Sequence, residues 1–319
     1  MTESRLSAVQ RIEYAIDWPP GHVASYLLGG DELVLVDAGV PDESAPLTDA
    51  LHAAGLRLAD IDHVVLTHPH SDHLGQVPTV LAESDATVYA PLGVRDRLRR
   101  DPADLAAEVR ANATRAGLSG ERLETAVTMA VESLERNAAL LPPDRVDVWV
   151  EDGDTIAPGG HELTAVHTPG HQADHLCYRG TVDGDRALFA GDMALEPFRA
   201  AAIHGGLTDA VSETFEAFYG ALDTLAALEV DRVYPGHGPV HTAFGGTIER
   251  DRGSLDRRLR RVREALAPDG STAPEVTTAL AGDRSPEYVF IEVLGALSHL
   301  AATGAIGAER VDGVEVFSP

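Results

Sequence analysis

The stretch Thr67-His68-Pro69-His70-Ser71-Asp72-His73 sets three imidazoles and a carboxylate within seven positions, directly after the apolar run Val64-Val65-Leu66. Imidazole nitrogen and carboxylate oxygen are the ligand pair of zinc and similar divalent ions. Side chains alternating around Pro69 let His68 and His70 point the same way, whereas the neighbours Asp72 and His73 face apart on any regular element. A loop at that point therefore offers one pair to one ion and the other pair to a second. The fold has to bring further ligands to the end of this strand.

The rest of the chain supplies candidates. Apolar or alternating runs predict strands at about 9–16, 23–28, 33–36, 63–66, 87–90, 146–150, 162–167, 175–178, 187–190 and 233–234, and helices at about 43–54 and 211–228. Three loops that follow such strands each carry a metal-binding group beside glycine: Thr168-Pro169-Gly170-His171, Gly191-Asp192 and Pro235-Gly236-His237-Gly238. Glycine there lets the backbone turn sharply and approach a centre closely. With the opening cluster the set becomes His68, His70, Asp72, His73, His171, Asp192 and His237, enough for two ions.

Between Pro102 and Leu141 the composition changes to Ala, Leu, Glu and Arg with a break at Gly117-Leu118-Ser119-Gly120, which predicts two inserted helices. Asp101 before Pro102 suits an N-cap followed by a first-turn proline. From Ile248 a long helix is expected to lead away from the core, with Leu255, Leu259, Val262 and Leu266 as its apolar stripe. Helices at about 273–280 and 287–303 follow, then a hairpin turning on Asp312-Gly313, a dipeptide suited to a type I′ turn. Helix, helix and hairpin in that order outline a winged helix. The expected division is a catalytic domain over 1–245, with its insertion at 102–141, and a linker helix plus small domain over 246–319.

The motif order HxHxDH, TPGH, GD and PGHG resembles that of the metallo-β-lactamase superfamily, and Val36-Asp37-Ala38-Gly39 resembles its early strand end. The resemblance covers about residues 20 to 245, and the tail looks like the branch that carries a C-terminal winged helix. It implies an α/β fold, an αββα sandwich with a dinuclear site on one edge. It implies that His68, His70 and His171 bind one ion and Asp72, His73 and His237 the other, with Asp192 bridging. Two divalent ions, zinc first and manganese or iron as alternatives, would lower the pKa of a shared water and generate hydroxide near neutral pH. Asp37 would fix an imidazole tautomer from behind.

Asp72, His175 and His204 are the candidate catalytic side chains, the two imidazoles as proton donors to a leaving group or as anion binders. His22 is placed at the cleft mouth or simply at a strand start. His52, His63, His161, His167, His241 and His299 have no motif context and are read as structural.

Composition narrows the setting. Acidic residues number 51 against 25 basic ones, every basic residue is Arg, and net charge is −26. Such a surplus repels itself in dilute buffer, and molar salt shortens the Debye length to about 3 Å. A salt-rich, halophilic cytoplasm is therefore expected. One cysteine, Cys177, excludes an intramolecular disulfide, and neither a secretory leader nor a membrane-spanning stretch is expected. A homo-oligomer is compatible with the composition.

Two substrates compete on sequence grounds. The tail and the run Arg257-Arg258-Leu259-Arg260-Arg261-Val262-Arg263 favour phosphodiesters of single-stranded RNA or DNA by a small margin, against an acidic overall field. The apolar insertion, with Met129, favours a small acyl substrate, a thioester or lactone, under a helical lid. A winged-helix binding protein with a relic metal site is a third reading, opposed by the complete ligand set. A β-lactam substrate is opposed by the cytoplasmic setting and the extra module.

Overall fold

The computed structural model describes residues 9–282 and 286–319. The N-terminal segment 1–8, for which no secretory leader is expected, lies outside them. The first sheet contains β1 (Gln10–Ala15), β2 (His22–Leu28), β3 (Leu33–Val36), β4 (Ile61–Val65), β5 (Thr87–Pro91) and β6 (Val148–Val150) in that order. Pairing is antiparallel from β1 to β3 and parallel from β3 to β6. The crossovers carry α1 (Ala45–Ala53), α2 (Ser71–Leu74), α3 (Val77–Glu83) and α4 (Leu92–Leu98).

The second sheet runs β11-β10-β9-β8-β7, built from β7 (Thr155–Ile156), β8 (Leu163–His167), β9 (Leu176–Val182), β10 (Asp185–Gly191) and β11 (Arg232–Pro235). Its pairs are antiparallel except β10 with β11. Between the sheets lies a dry layer of Val34, Val36, Val65, Ala165, Tyr178 and Phe189. Tyr26 of β2 meets Tyr234 of β11 edge-on at 5.3 Å, and Tyr234 stacks on Phe189 at 5.0 Å. Burying both faces of β2 and β3 explains why those strands read as largely apolar runs rather than alternating ones. Helices cover the outer faces, among them α7 (Thr214–Ala226), which buries Phe215, Phe218, Leu222 and Leu225.

The insertion forms α5 (Pro102–Arg115) and α6 (Gly120–Leu140), broken at Gly117, whose φ is +96°. Asp101 caps α5 by accepting from the N–H groups of Ala103 at 2.7 Å and Asp104 at 3.3 Å. After β11 comes α8 (Phe244–Glu264), followed by β12 (Ser271–Thr272), α9 (Ala273–Ala281), α10 (Pro286–Ala302), β13 (Gly307–Val311) and β14 (Val314–Ser318). β12, β14 and β13 pair into a small sheet whose turn has Asp312 at φ +50° and Gly313 at φ +87°, the two positive values a type I′ turn needs.

The expectation that the long helix leads away from the core is corrected here. α8 begins earlier than expected, at Phe244, and lies on α7 and α10, because Phe244, Ile248, Leu255 and Val262 need cover. One continuous apolar core reaches from Leu47 under the first sheet to Val293, Leu297 and Phe317 of the tail. Glu292 of α10 is buried between Arg199 and Arg258, with Arg258 Nε at 3.2 Å, and locks the tail to the main body. The apolar patterns of β7, β12, α3 and α4 are too short to stand out in the sequence.

Candidate metal centre

The strands of both sheets end along one edge, and the motif loops meet there. Leu176 N–H donates to the Thr67 carbonyl at 2.9 Å, Tyr178 OH donates to the Leu66 carbonyl at 3.0 Å, and Ala24 N–H donates to the Gly236 carbonyl at 2.7 Å. These bonds cross from sheet to sheet and hold the ligand loops in register. Gly191 and Gly236 are required by close approach. A Cβ on Gly191, at φ +47°, would lie 2.5 Å from His175 Nε2, and one on Gly236 would lie 2.6 Å from Asp192 Oδ1.

Seven side chains converge in two groups. His68, His70, His171 and Asp192 have ligand atoms within 4.8 Å of one another, and so do Asp72, His73 and His237. His70 Nδ1 lies 3.0 Å from His68 Nε2 and 3.1 Å from His171 Nε2. Asp192 joins the groups, with Oδ2 3.2 Å from His171 Nε2 and 3.4 Å from His237 Nε2. His237 Nε2 is in turn 3.5 Å from Asp72 Oδ2.

The residues fit divalent ions. His73 Nε2 and Asp192 Oδ1 are both buried, 3.3 Å apart, and make no hydrogen bond among the described residues, so both aim at the same space. Zinc–nitrogen bonds of about 2.0–2.1 Å set tetrahedral ligand atoms roughly 3.3 Å apart, close to the spacings seen. Four imidazoles have the second nitrogen occupied from behind. His73 Nδ1 lies 2.9 Å from Asp37 Oδ2, and His68 Nδ1 is 3.0 Å from Thr67 Oγ1. His171 Nδ1–H donates to the Ala201 carbonyl at 2.9 Å and His237 Nδ1–H to the His22 carbonyl at 2.7 Å. A proton held at Nδ1 leaves the Nε2 lone pair free for a cation.

Electrostatics say the same. Burial pushes His70 down to about 3, and burial with neighbouring imidazoles drives His68 well below its ordinary value. Burial also opposes charge on His237, yet Asp192 and Asp72 together outweigh it and raise His237 to about 10. Burial would lift Asp72, but the bond from His237 and the charge of His73 hold it at about 2. Buried carboxylates in this number call for positive charge, supplied by protons or by metal.

The other candidates fall differently. His175 is fully buried, its Nδ1 2.8 Å from Thr168 Oγ1 and its Nε2 accepting the Asp192 backbone N–H at 3.0 Å. The expected part as proton donor to a leaving group is corrected: the ring positions the Asp192 backbone and does not reach open space. His204 lines the adjoining cavity, is 7 % exposed, and has an unpartnered Nδ1 among the described residues. Its φ of +44° is held by its N–H, which bonds the carbonyls of Gly170 at 3.0 Å and His171 at 2.9 Å. His22 begins β2 and accepts the Gly238 N–H at its Nε2. Thr67 and the His22 and Ala201 carbonyls were missed in sequence, since nothing in the residue type of a carbonyl acceptor marks it.

A cavity of about 970 Å³ opens from His70 and runs beneath the insertion. Leu98, Leu105, Val109, Met129 and Leu134 line it, with Phe290 and Ile291 from the tail. Met129 is 46 % exposed, one of the few large apolar side chains left open among the described residues, and it lines this space. Arg97 and Arg100 on the lining are paired with Asp174 and Glu108, whereas Arg122 and Arg136 have no carboxylate within 4.0 Å among the described residues.

The sequence profile of the metallo-beta-lactamase superfamily matches residues 18–237. The chain belongs to that superfamily. A metallo-beta-lactamase family protein from Thermus thermophilus shares the fold at a TM-score of 0.79 and 24% identity, covering 98% of this chain and 99% of that one, so the likeness of fold runs through the tail. Among curated relatives, an atrochrysone carboxyl ACP thioesterase of Cryptosporiopsis sp. is 28% identical over 278 residues, 86% of this chain and 66% of the relative. A hydroxyacylglutathione hydrolase of Rhodopseudomonas palustris is 28% identical over 235 residues, 73% of this chain and 69% of the relative. This superfamily member thus spans about two thirds of the length of these relatives. Among the described residues no helix is long and apolar enough to cross a membrane.

Proposed function

We propose that this chain is a metal-dependent hydrolase of acyl thioesters. His68, His70 and His171 would hold one divalent ion, Asp72, His73 and His237 the second, and Asp192 would stand between them. Two such ions supply an activated water near neutral pH and a Lewis acid for the acyl carbonyl. The protein's own part is to orient and to exclude. The cavity wall of Leu98, Val109, Met129 and Leu134 aligns an apolar chain so that its carbonyl end lies beside His70, and keeps bulk water from the chain. His204 lines the same cavity, with its Nδ1 buried and unpartnered among the described residues.

The observation that carries this reading is the apolar cavity opening directly from a ligand, His70. The printed names of the two curated relatives, a thioesterase and a hydroxyacylglutathione hydrolase, support it. The nuclease reading loses one of its two sequence supports and keeps part of the other. The tail is packed into the core and contributes cavity wall; of the basic run Arg258 is paired with Glu292, while Arg257, Arg260, Arg261 and Arg263 stay exposed. Zinc is the first choice of ion, given five imidazoles and two carboxylates; the setting remains a salt-rich cytoplasm.

The test is a parallel assay in high-KCl buffer of the zinc-loaded protein on a chromogenic acyl thioester and on labelled single-stranded RNA. Thioester turnover that disappears in His70→Ala supports the reading. Cleavage of RNA alone would replace it with the nuclease.

A further inference from the structure

The cavity has a direction. The turn before α6 lies against the tail, where a Cβ on Gly117 would meet Val314 at 3.2 Å and Pro274 at 3.3 Å. α6 also packs beside α2, which carries Asp72 and His73. Along α6 the cavity is lined from Glu121 to Asn137, a span of roughly 24 Å at 1.5 Å per residue. Its metal end is marked by His70 and its far region by Pro274 and Thr277 of α9 and by Phe290 and Ile291 of α10. Phe290 is buried and belongs to the shared core, so its position is fixed by packing.

Resting on the thioesterase reading, we propose that the substrate carries a long unbranched acyl chain that follows α6, and that the tail measures its length, with Phe290 and Ile291 as the specificity-determining residues. Short acyl groups would fill only the part of the cavity near His70. Each further methylene buried along α6 strengthens binding by roughly fourfold, until the chain meets Phe290. The tail is thereby part of the substrate site, and this accounts for its sharing a core with the catalytic body.

The experiment compares butyryl, octanoyl, dodecanoyl and palmitoyl thioesters of N-acetylcysteamine across wild type, Phe290→Ala, Phe290→Trp and Ile291→Ala. Binding of the matching S-alkyl thioethers, which cannot be hydrolysed, is measured by calorimetry in parallel. Expected are a rise in kcat/KM with length to an optimum, a shift of that optimum to longer chains in Phe290→Ala and Ile291→Ala, and a shift to shorter chains in Phe290→Trp. Circular dichroism and zinc content matching wild type report an intact fold and metal centre. An unchanged length profile in variants that match wild type in both overturns the proposal and leaves the thioesterase reading standing. Should a Phe290 variant misfold, Ile291→Ala decides in the same way. Failure of wild type to turn over or bind any member of the series overturns both.

Discussion

Asp37 Oδ2 lies 2.9 Å from His73 Nδ1, and the same carboxylate accepts the Thr67 backbone N–H at 2.9 Å and the Thr67 hydroxyl at 2.9 Å. Asp37 itself sits at φ +53°, a left-handed conformation that a non-glycine residue adopts at a cost. The end of β3 is thus shaped to bring one carboxylate behind a candidate ligand and beneath the ligand loop at once. Asp37→Asn keeps the size but weakens the acceptor facing His73 and places an amide group beside the Thr67 donors. Metal affinity should fall about 10- to 100-fold, read by competition with a chromophoric chelator. Wild-type affinity in this variant would mean that His73 is oriented by packing alone.

How this arrangement was legible follows from where the ligands lie. His68, His70, Asp72 and His73 occur within one short loop, and His171, Asp192 and His237 each sit beside glycine just past a strand, so residue type and punctuation together mark them. The groups behind them left no such trace. The carbonyls of His22 and Ala201 act through backbone atoms, and His175 has a motif position, four residues after His171, that suggested chemistry where the fold uses it as a strut. For the fold, strands buried on both faces announced themselves as apolar runs. The destination of α8 did not, because its stripe of Leu255 and Val262 states that something covers it but not what.

The metal-free centre stores protons, and the sign of its pH dependence follows. His237 is raised to about 10, Asp192 and Asp72 together outweighing the effect of burial, so its pairing contributes stability that is fully present below its ordinary value of 6.5 and is lost as pH rises through about 10. Between those limits an incoming ion must displace that proton. Affinity for zinc should therefore climb with pH from about 7 to about 9, by roughly tenfold per unit for each proton released. Titrations in buffers of different ionisation enthalpy count the protons directly. A binding isotherm independent of both pH and buffer would show that His237 is neutral in the metal-free protein.

Glu292 holds two arginines. Its side chain and that of Arg199 are each 7 % exposed, Arg258 lies alongside, and one terminal nitrogen of Arg258 already lacks a partner among the described residues. Glu292→Ala leaves two buried guanidinium groups facing each other without a counter-charge. Removing one partner from such a buried pair costs about 3–5 kcal/mol. Urea denaturation followed by tryptophan fluorescence should show a loss of that order; a change below about 1 kcal/mol would mean that water reaches the pair once the carboxylate is gone.

Charge sets the last prediction. With 51 acidic residues against 25 arginines and no lysine, the surface carries far more carboxylates than its ion pairs neutralise. Several pairs that do form, such as Arg186 with Asp231 and Arg232 with Asp185, are exposed and contribute little in water. Repulsion among the remaining carboxylates acts over about 10 Å at 0.1 M salt and about 3 Å at 1 M. Salt therefore relieves the folded state, where the carboxylates are close together, more than the expanded unfolded chain. The melting temperature should rise steadily as KCl is taken from dilute buffer to molar concentration, with the largest gain at the low end where the screening length changes most. Sodium chloride should act nearly as KCl does if screening is the cause. A melting temperature that is flat across this range would separate the acidic composition from stability and remove the case for a salt-adapted protein.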